Sequence, residues 1–351
     1  MSTCQDSLPM KTAQQMAMDG DEPTSKYIIN NYTTYTKFSP IETSPPLGSV
    51  PIIDIDGFVS SSKQDDQQIN ELTKLRSALT TWGCFQAVNH GLSASYLDSI
   101  RHAIKQFFKL PMEEKRKYLR ETGSVEGYGN DITYSENQVQ DWCDSLFLRI
   151  LPEDQRKLKF WPENPSNFRE TIDDYTKKIK LISVVIFEAM AKSLDLEDDC
   201  FSKHFTEQRD VLQGRHYKIR GVEGLQVLND GSWYMVPVIH DALFVNLGDQ
   251  MQIMSNGIFK SPVHRVVTNR DKARVSVAMF TEPEADKEIG LVDDLVNEKR
   301  PRVYKTVKDF AAFNHECFRK VLLLLMLCYD DTSMDPHRWK VDLSIDVKVK
   351  A

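Results

Sequence analysis

Apolar positions recur along this chain with two different periods, and the change of period divides it. Between Asp65 and Trp82, Ile69, Leu72, Leu75, Leu79 and Trp82 fall at helical spacing, and Gly83 is a natural stop. Ser93 is placed to cap a second helix whose apolar face is Tyr96, Ile100, Ile104 and Phe107 or Phe108, halted by Pro111. A long helix is expected after Pro165, with Asn167 and Glu170 set as a capping box. Its stripe is Phe168, Ile172, Tyr175, Ile179, Ile182, Ile186 and Met190. That stripe lacks flanking charge complementarity, so a helix lying across a sheet is expected rather than a coiled-coil seam. Short strands are expected at Val50–Ile55 and Cys84–Val88, and Gly127–Leu151 reads as a return to strand.

From Leu225 the pattern turns to strands. Leu225–Leu228, the turn Asn229-Asp230-Gly231, and Trp233–Val238 read as a hairpin. Asp241–Phe280 reads as further antiparallel strands, turning at Ser255-Asn256-Gly257 and at Thr268-Asn269-Arg270-Asp271. His216 sits in a Lys/Arg-rich stretch that reads as a solvated loop, and the pattern gives little support for a short compensating strand over 215–220. Helices followed by a compact block of short strands predict an α+β fold, a jelly-roll-like barrel with helices packed outside it. Residues 1–48 are polar and aperiodic and read as a mostly extended arm, with local packing at Tyr27–Tyr35.

Composition narrows the function classes. With 41% hydrophobic and 27% charged residues the 351-residue chain is expected to be soluble and globular. A net charge of −7 argues against nucleic acid or an anionic membrane as partner. The six cysteines form no Cys-x-x-Cys pair, which suits a reducing cytoplasm. The amino terminus lacks the basic and apolar regions of a signal peptide, and Val321–Tyr329 is too short to span a bilayer. The candidate chemistry lies late in the chain. Arg274 and Ser276, two apart on a strand, share a face and could hold a carboxylate, and the imidazole of His264 could seat a metal. On spacing alone, a surface arginine and a satisfied core histidine explain these residues equally well.

The segments VPIIDIDGF, WGCFQAVNHG, FFKLPMEEKRKY, EGYG, FWPENPSNFRETI, VEGLQVL, VNLGDQMQIMSNGIFKSPVHRVVTN and ARVSVAMF, in that order, resemble plant 2-oxoglutarate- and Fe(II)-dependent dioxygenases. The flavonol-synthase-like and senescence-related members are the most similar kind. The resemblance implies a double-stranded β-helix core and oxidation of a small plant specialised metabolite by hydroxylation, desaturation or demethylation. Fe(II) and the co-substrate 2-oxoglutarate are implied, with ascorbate as an accessory reductant. His264 resembles the distal iron ligand, and Arg274 with Ser276 resembles the clamp on the far carboxylate of 2-oxoglutarate.

One feature of the family is missing. Its His-x-Asp iron-binding pair belongs between the long helix and VEGLQVL, yet none of the eight histidines is followed two residues later by Asp or Glu. The expected division is a polar arm over 1–48, a helical N-terminal region over 49–208, a truncated β-core over 209–313 and a divergent tail over 314–351. Lost strands predict unpaired sheet edges. A site rebuilt from His216, His240 and His264 with Asp210 or Asp241 is disfavoured, because adjacent His240 and Asp241 cannot face one way on a strand. A noncatalytic binding module, or an unstable product of altered splicing or of a faulty gene model, stands as the alternative to an active enzyme.

Overall fold

The computed structural model describes residues 11–21, 45–59, 65–121, 124–130, 143–205, 209–218, 224–266, 273–283, 287–310, 313 and 348–350. The region Tyr27–Tyr35, the turn Thr268–Asp271 and most of the tail lie outside them. Helices and strands follow in the order α1 (Ala13–Asp19), β1 (Ile52–Asp54), α2 (Asp56–Val59), α3 (Asp65–Thr81), β2 (Cys84–Val88), α4 (Ala94–Lys109), α5 (Met112–Arg116), β3 (Gly127–Asn130), β4 (Cys143–Arg149) and α6 (Phe168–Lys192). Then come β5 (Arg209–Lys218), β6 (Leu225–Asn229), β7 (Ser232–Met235), β8 (Leu243–Asn246), α7 (Asp249–Met254), β9 (His264–Val266), β10 (Ala273–Glu282) and β11 (Lys348–Lys350). An eight-stranded sheet has the order β1-β2-β8-β11-β10-β5-β4-β3, and a three-stranded sheet the order β7-β6-β9.

The large sheet has two unlike faces. Phe85, Val245, Leu146, Leu148, Leu212, Val277 and Met279 join the main core, which α3, α4 and α6 cover. All seven stripe positions of α6 are buried, and the helix packs chiefly on α3 and α4 rather than lying directly across a sheet as expected. Asn167 does precede it, but its side chain makes no capping hydrogen bond. On α4 the Ser93 side chain accepts from the Tyr96 N–H as expected, whereas Ile69 on α3 is 60% exposed rather than buried. The other face of the sheet looks toward the small sheet. Cys84 and Phe244 pack there with Leu225, Val227 and Val236, and Cys143 packs on Val266.

Four expectations are corrected. The stretch expected to be a solvated loop is the ten-residue strand β5, paired with β10 along its whole length and with β4 over seven positions. Asp249–Met254 is helix α7, not strand. Within the arm, Ala13–Asp19 is helical, with the Thr12 hydroxyl accepting from the Gln15 N–H. Between β8 and β10, where missing strands predicted open edges, β11 from the extreme C-terminus pairs antiparallel with both. The turn of the β6–β7 hairpin is as expected, with Asp230 and Gly231 both at positive φ (46° and 77°).

Candidate active site

His264 begins β9 on the small sheet, whereas Ser276 lies on β10 of the large one, so the two strands are not hairpin partners. β9 instead faces β4 of the large sheet across the interior. Val266 packs on Cys143 of the opposite sheet, and His264, two residues earlier, shares its face. The His264 ring accounts for one proton locally: Nδ1 donates to the Pro262 carbonyl at 3.1 Å. In a neutral imidazole that bond leaves Nε2 as the nitrogen with a lone pair, the usual way a metal-ligand histidine is oriented.

The loop before His264 is held by α3. Lys260 N–H donates to the Leu79 carbonyl, and the left-handed Gly83 (φ 67°) lies flat against it. A Cβ on Gly83 would sit 2.4 Å from the Lys260 carbonyl oxygen and 2.9 Å from Pro262 Cδ. Gly83→Ala is therefore expected to cost on the order of 2–4 kcal/mol. It should also shift the His264 imidazole resonances. A thermal melt and a ¹H–¹⁵N spectrum of the ring check both.

On the outer face of β9, Arg265 donates from Nε to Gln226 Oε1 (2.8 Å), and its guanidinium stacks 3.9 Å from the Trp233 ring. Burial pulls the Arg265 pKa down. The stack fixes the strand that carries His264.

Ser276 is buried on the inner face of β10, with Ala278 and Phe280 following on the same side. Position 274 precedes it on that face; the Arg274 side chain lies outside the described residues. Asn246, on the inner face of β8 beside Phe244, is another polar residue of this interior that sequence reading missed. It is completely buried, and among the described residues neither its Oδ1 nor its Nδ2 has a hydrogen-bond partner.

The alternative ligand set does not assemble. His240 is at the surface, 3.3 Å from Asp98. Position 216 pairs with Val275, which packs on the helix-facing core, so it lies on the far side of the sheet from Ser276. Asp210 has the same parity as 216. Among the described residues no three His, Cys, Asp or Glu side chains come together in a way that could hold a metal ion. The described residues alone therefore do not assemble the ligand set of an iron centre around His264.

Comparison with known proteins accounts for both halves of the chain. Residues 50–164 match the N-terminal region of the non-haem dioxygenases in morphine synthesis, and residues 211–283 match the 2OG-Fe(II) oxygenase superfamily. Codeine O-demethylase of Papaver somniferum is 36% identical over 283 residues, covering 73% of this chain and 78% of its own. Flavonol synthase/flavanone 3-hydroxylase of Eustoma exaltatum subsp. russellianum is 35% identical over 291 residues, covering 75% and 85%. The crystal structure of JOX2 in complex with 2OG, Fe and JA superposes with a TM-score of 0.75 at 28% identity, covering 88% of this chain and 94% of that one. With strands, helices and sequence all agreeing, the chain belongs to the plant 2-oxoglutarate- and Fe(II)-dependent dioxygenases.

Proposed function

We propose that this scaffold serves the oxidation typical of its family and that the chain in this form has an incomplete iron centre. The reaction is hydroxylation, desaturation or demethylation of a small plant specialised metabolite, coupled to 2-oxoglutarate. The metabolite class is supported by relatives named for an alkaloid O-demethylation and for flavonol synthesis. His264 would be the one family ligand for iron, and Arg274 with Ser276 would hold the far carboxylate of 2-oxoglutarate. Without the remaining ligands the fold acts as a binding module, not a turnover catalyst.

One observation supports this reading: only six residues, 219–224, separate the end of β5 at Lys218 from the start of β6 at Leu225, and none of the six is a histidine. The alignment to codeine O-demethylase supports it. That alignment runs 283 positions while covering 73% of a 351-residue chain, which leaves positions of the relative with no counterpart here. In assays with Fe(II), ascorbate, 2-oxoglutarate and a panel of phenolic and alkaloid substrates, no succinate release above background is expected. A chimera carrying the relative's segment between Lys218 and Gly224 is expected to regain it. Turnover by the chain as it stands would overturn the binding-module reading.

No helix among the described residues is long and apolar enough to cross a membrane.

A further inference from the structure

The outer face of the small sheet carries a guanidinium without an anion. Arg265 lies opposite Gln226 of β6, which lies opposite Met235 of β7, and Trp233 is two residues before Met235. These four residues therefore share the face turned away from His264, Val266, Leu225 and Val227. From β9 the Arg265 side chain crosses β6 to stack on the Trp233 ring of β7. Its Nε is occupied by Gln226 Oε1, and Gln226 is itself only 4% exposed. Nη1 and Nη2 donate to no described residue, and Arg265 makes no ion pair with any described residue. Beneath it, the indole N–H of Trp233 is buried and has no acceptor among the described residues. The outer-face positions Gln226, Leu228, Trp233, Met235 and Arg265 include no carboxylate. The one acid of the hairpin, Asp230 in its turn, is exposed and pairs with no cation among the described residues.

A half-buried cation without a counter-ion is unfavourable, and this chain has acids in excess, with a net charge of −7. The geometry suits a ligand. The indole holds the guanidinium flat and Gln226 takes its Nε edge, so the Nη1–Nη2 end is left as a fork of fixed direction. Such a fork matches two oxygens of one carboxylate or phosphate group. We propose that Arg265, held by Trp233 and Gln226, is the binding residue of an oxyanion site on the outside of the small sheet. Its ligand presents a carboxylate or a phosphate. Leu228 and Met235, half-buried on the same face, limit water beside the fork and so strengthen the pairing. The site lies on the opposite side of the strand from His264, and it does not depend on whether iron or 2-oxoglutarate binds in the interior.

The test is a ¹H–¹⁵N titration of the full chain with sodium acetate and, separately, with inorganic phosphate, the ionic strength being held constant with sodium chloride. The Arg265 Nε–H and Trp233 indole resonances are expected to shift and to saturate, with a dissociation constant on the order of 1 mM. Tighter binding of acetate assigns the site to a carboxylate ligand, tighter binding of phosphate to a phosphorylated one, and either supports it. Arg265→Gln should abolish the saturable shift of the Trp233 indole. Arg265→Lys should weaken it several-fold, since an ammonium keeps the charge but not the planar fork. Near-UV circular dichroism checks that each variant is folded, and if Arg265→Gln is not, Arg265→Lys decides. Shifts that do not saturate with either anion, or a saturable shift unchanged in a folded variant, would overturn the proposal. Neither outcome bears on the incomplete iron centre, which the succinate assay tests separately.

Discussion

Replacing Asp144 by alanine is expected to lower the thermal midpoint by about 10 °C and to release the N-terminal helix. Asp144 is completely buried on β4, and its carboxylate accepts from three donors: Ala13 N–H at 2.8 Å, Gln14 N–H at 3.2 Å and the Tyr128 hydroxyl at 2.8 Å. Two of those are free N–H groups of the first turn of α1, so one side chain both caps and docks the helix. Lys115, 2% exposed, completes the junction by donating to Gln14 Oε1 and to the Phe108 carbonyl. Burial lowers the Lys115 pKa, and the nearby Asp144 charge opposes that shift. Removing the carboxylate leaves three donors and a buried ammonium without their anion, a loss of about 3–5 kcal/mol by comparison with other broken buried pairs. Limited proteolysis should then cut near residues 11–21, which the parent protects. Asp144→Asn keeps the shape and one acceptor and should lose less. A melt unchanged in Asp144→Ala would show that the helix contributes nothing to the fold.

Truncation before Lys348 is expected to have an effect of similar size with a different signature. Lys348, Val349 and Lys350 pair with Asn246, Val245 and Phe244 on one side and with Phe280, Met279 and Ala278 on the other. Without them the large sheet separates into β1-β2-β8 and β10-β5-β4-β3, each with a new edge. Each ladder hydrogen bond is worth roughly 0.5–1.5 kcal/mol net. The larger consequence is association, because the exposed edges of β8 and β10 are templates for strands of other molecules. Light scattering on gentle warming should rise well below the melting temperature of the full chain, and the urea midpoint should fall. Val349→Pro, which removes a ladder donor at the centre of the strand, should reproduce part of the loss. Identical scattering and midpoints in the truncated chain would mean that β11 does not close the sheet.

Much of the helical layer was legible in the sequence, because its stabilisation is apolar and periodic. The α6 stripe from Phe168 to Met190 and the Ser93 cap are examples in which the local pattern and the final packing agree. Ile69 was misplaced because periodicity gives a face but not where the neighbouring element ends. The misses share a cause of another kind. Strand β5 buries Leu212 and Gly214 on one side, but its other side carries Gln213 and Arg215 into a polar interior. Its alternation was therefore hidden under charges that resemble a loop. Helix α1 is held by Asp144 and Lys115, polar contacts more than a hundred residues away that no local window contains. The Gln-Met-Gln-Ile-Met run of α7 alternates like a strand, and only its six-residue length and tertiary setting decide otherwise. Of the site, His264, Arg274 and Ser276 could be singled out from the sequence, since a family resemblance attaches to them. Arg265 and Asn246 could not, because their significance comes only from register and from the face they occupy.

We propose that this chain keeps the fold of its family but does not complete an iron centre. The most direct test is an anaerobic titration of the full chain with Fe(II) in the presence of 2-oxoglutarate, followed by visible absorption. Iron chelated by the keto acid in a protein site gives a charge-transfer band. No such band is expected to develop at any ratio of iron to protein, while 2-oxoglutarate still binds with EDTA present. A saturable band with one iron per chain would contradict it.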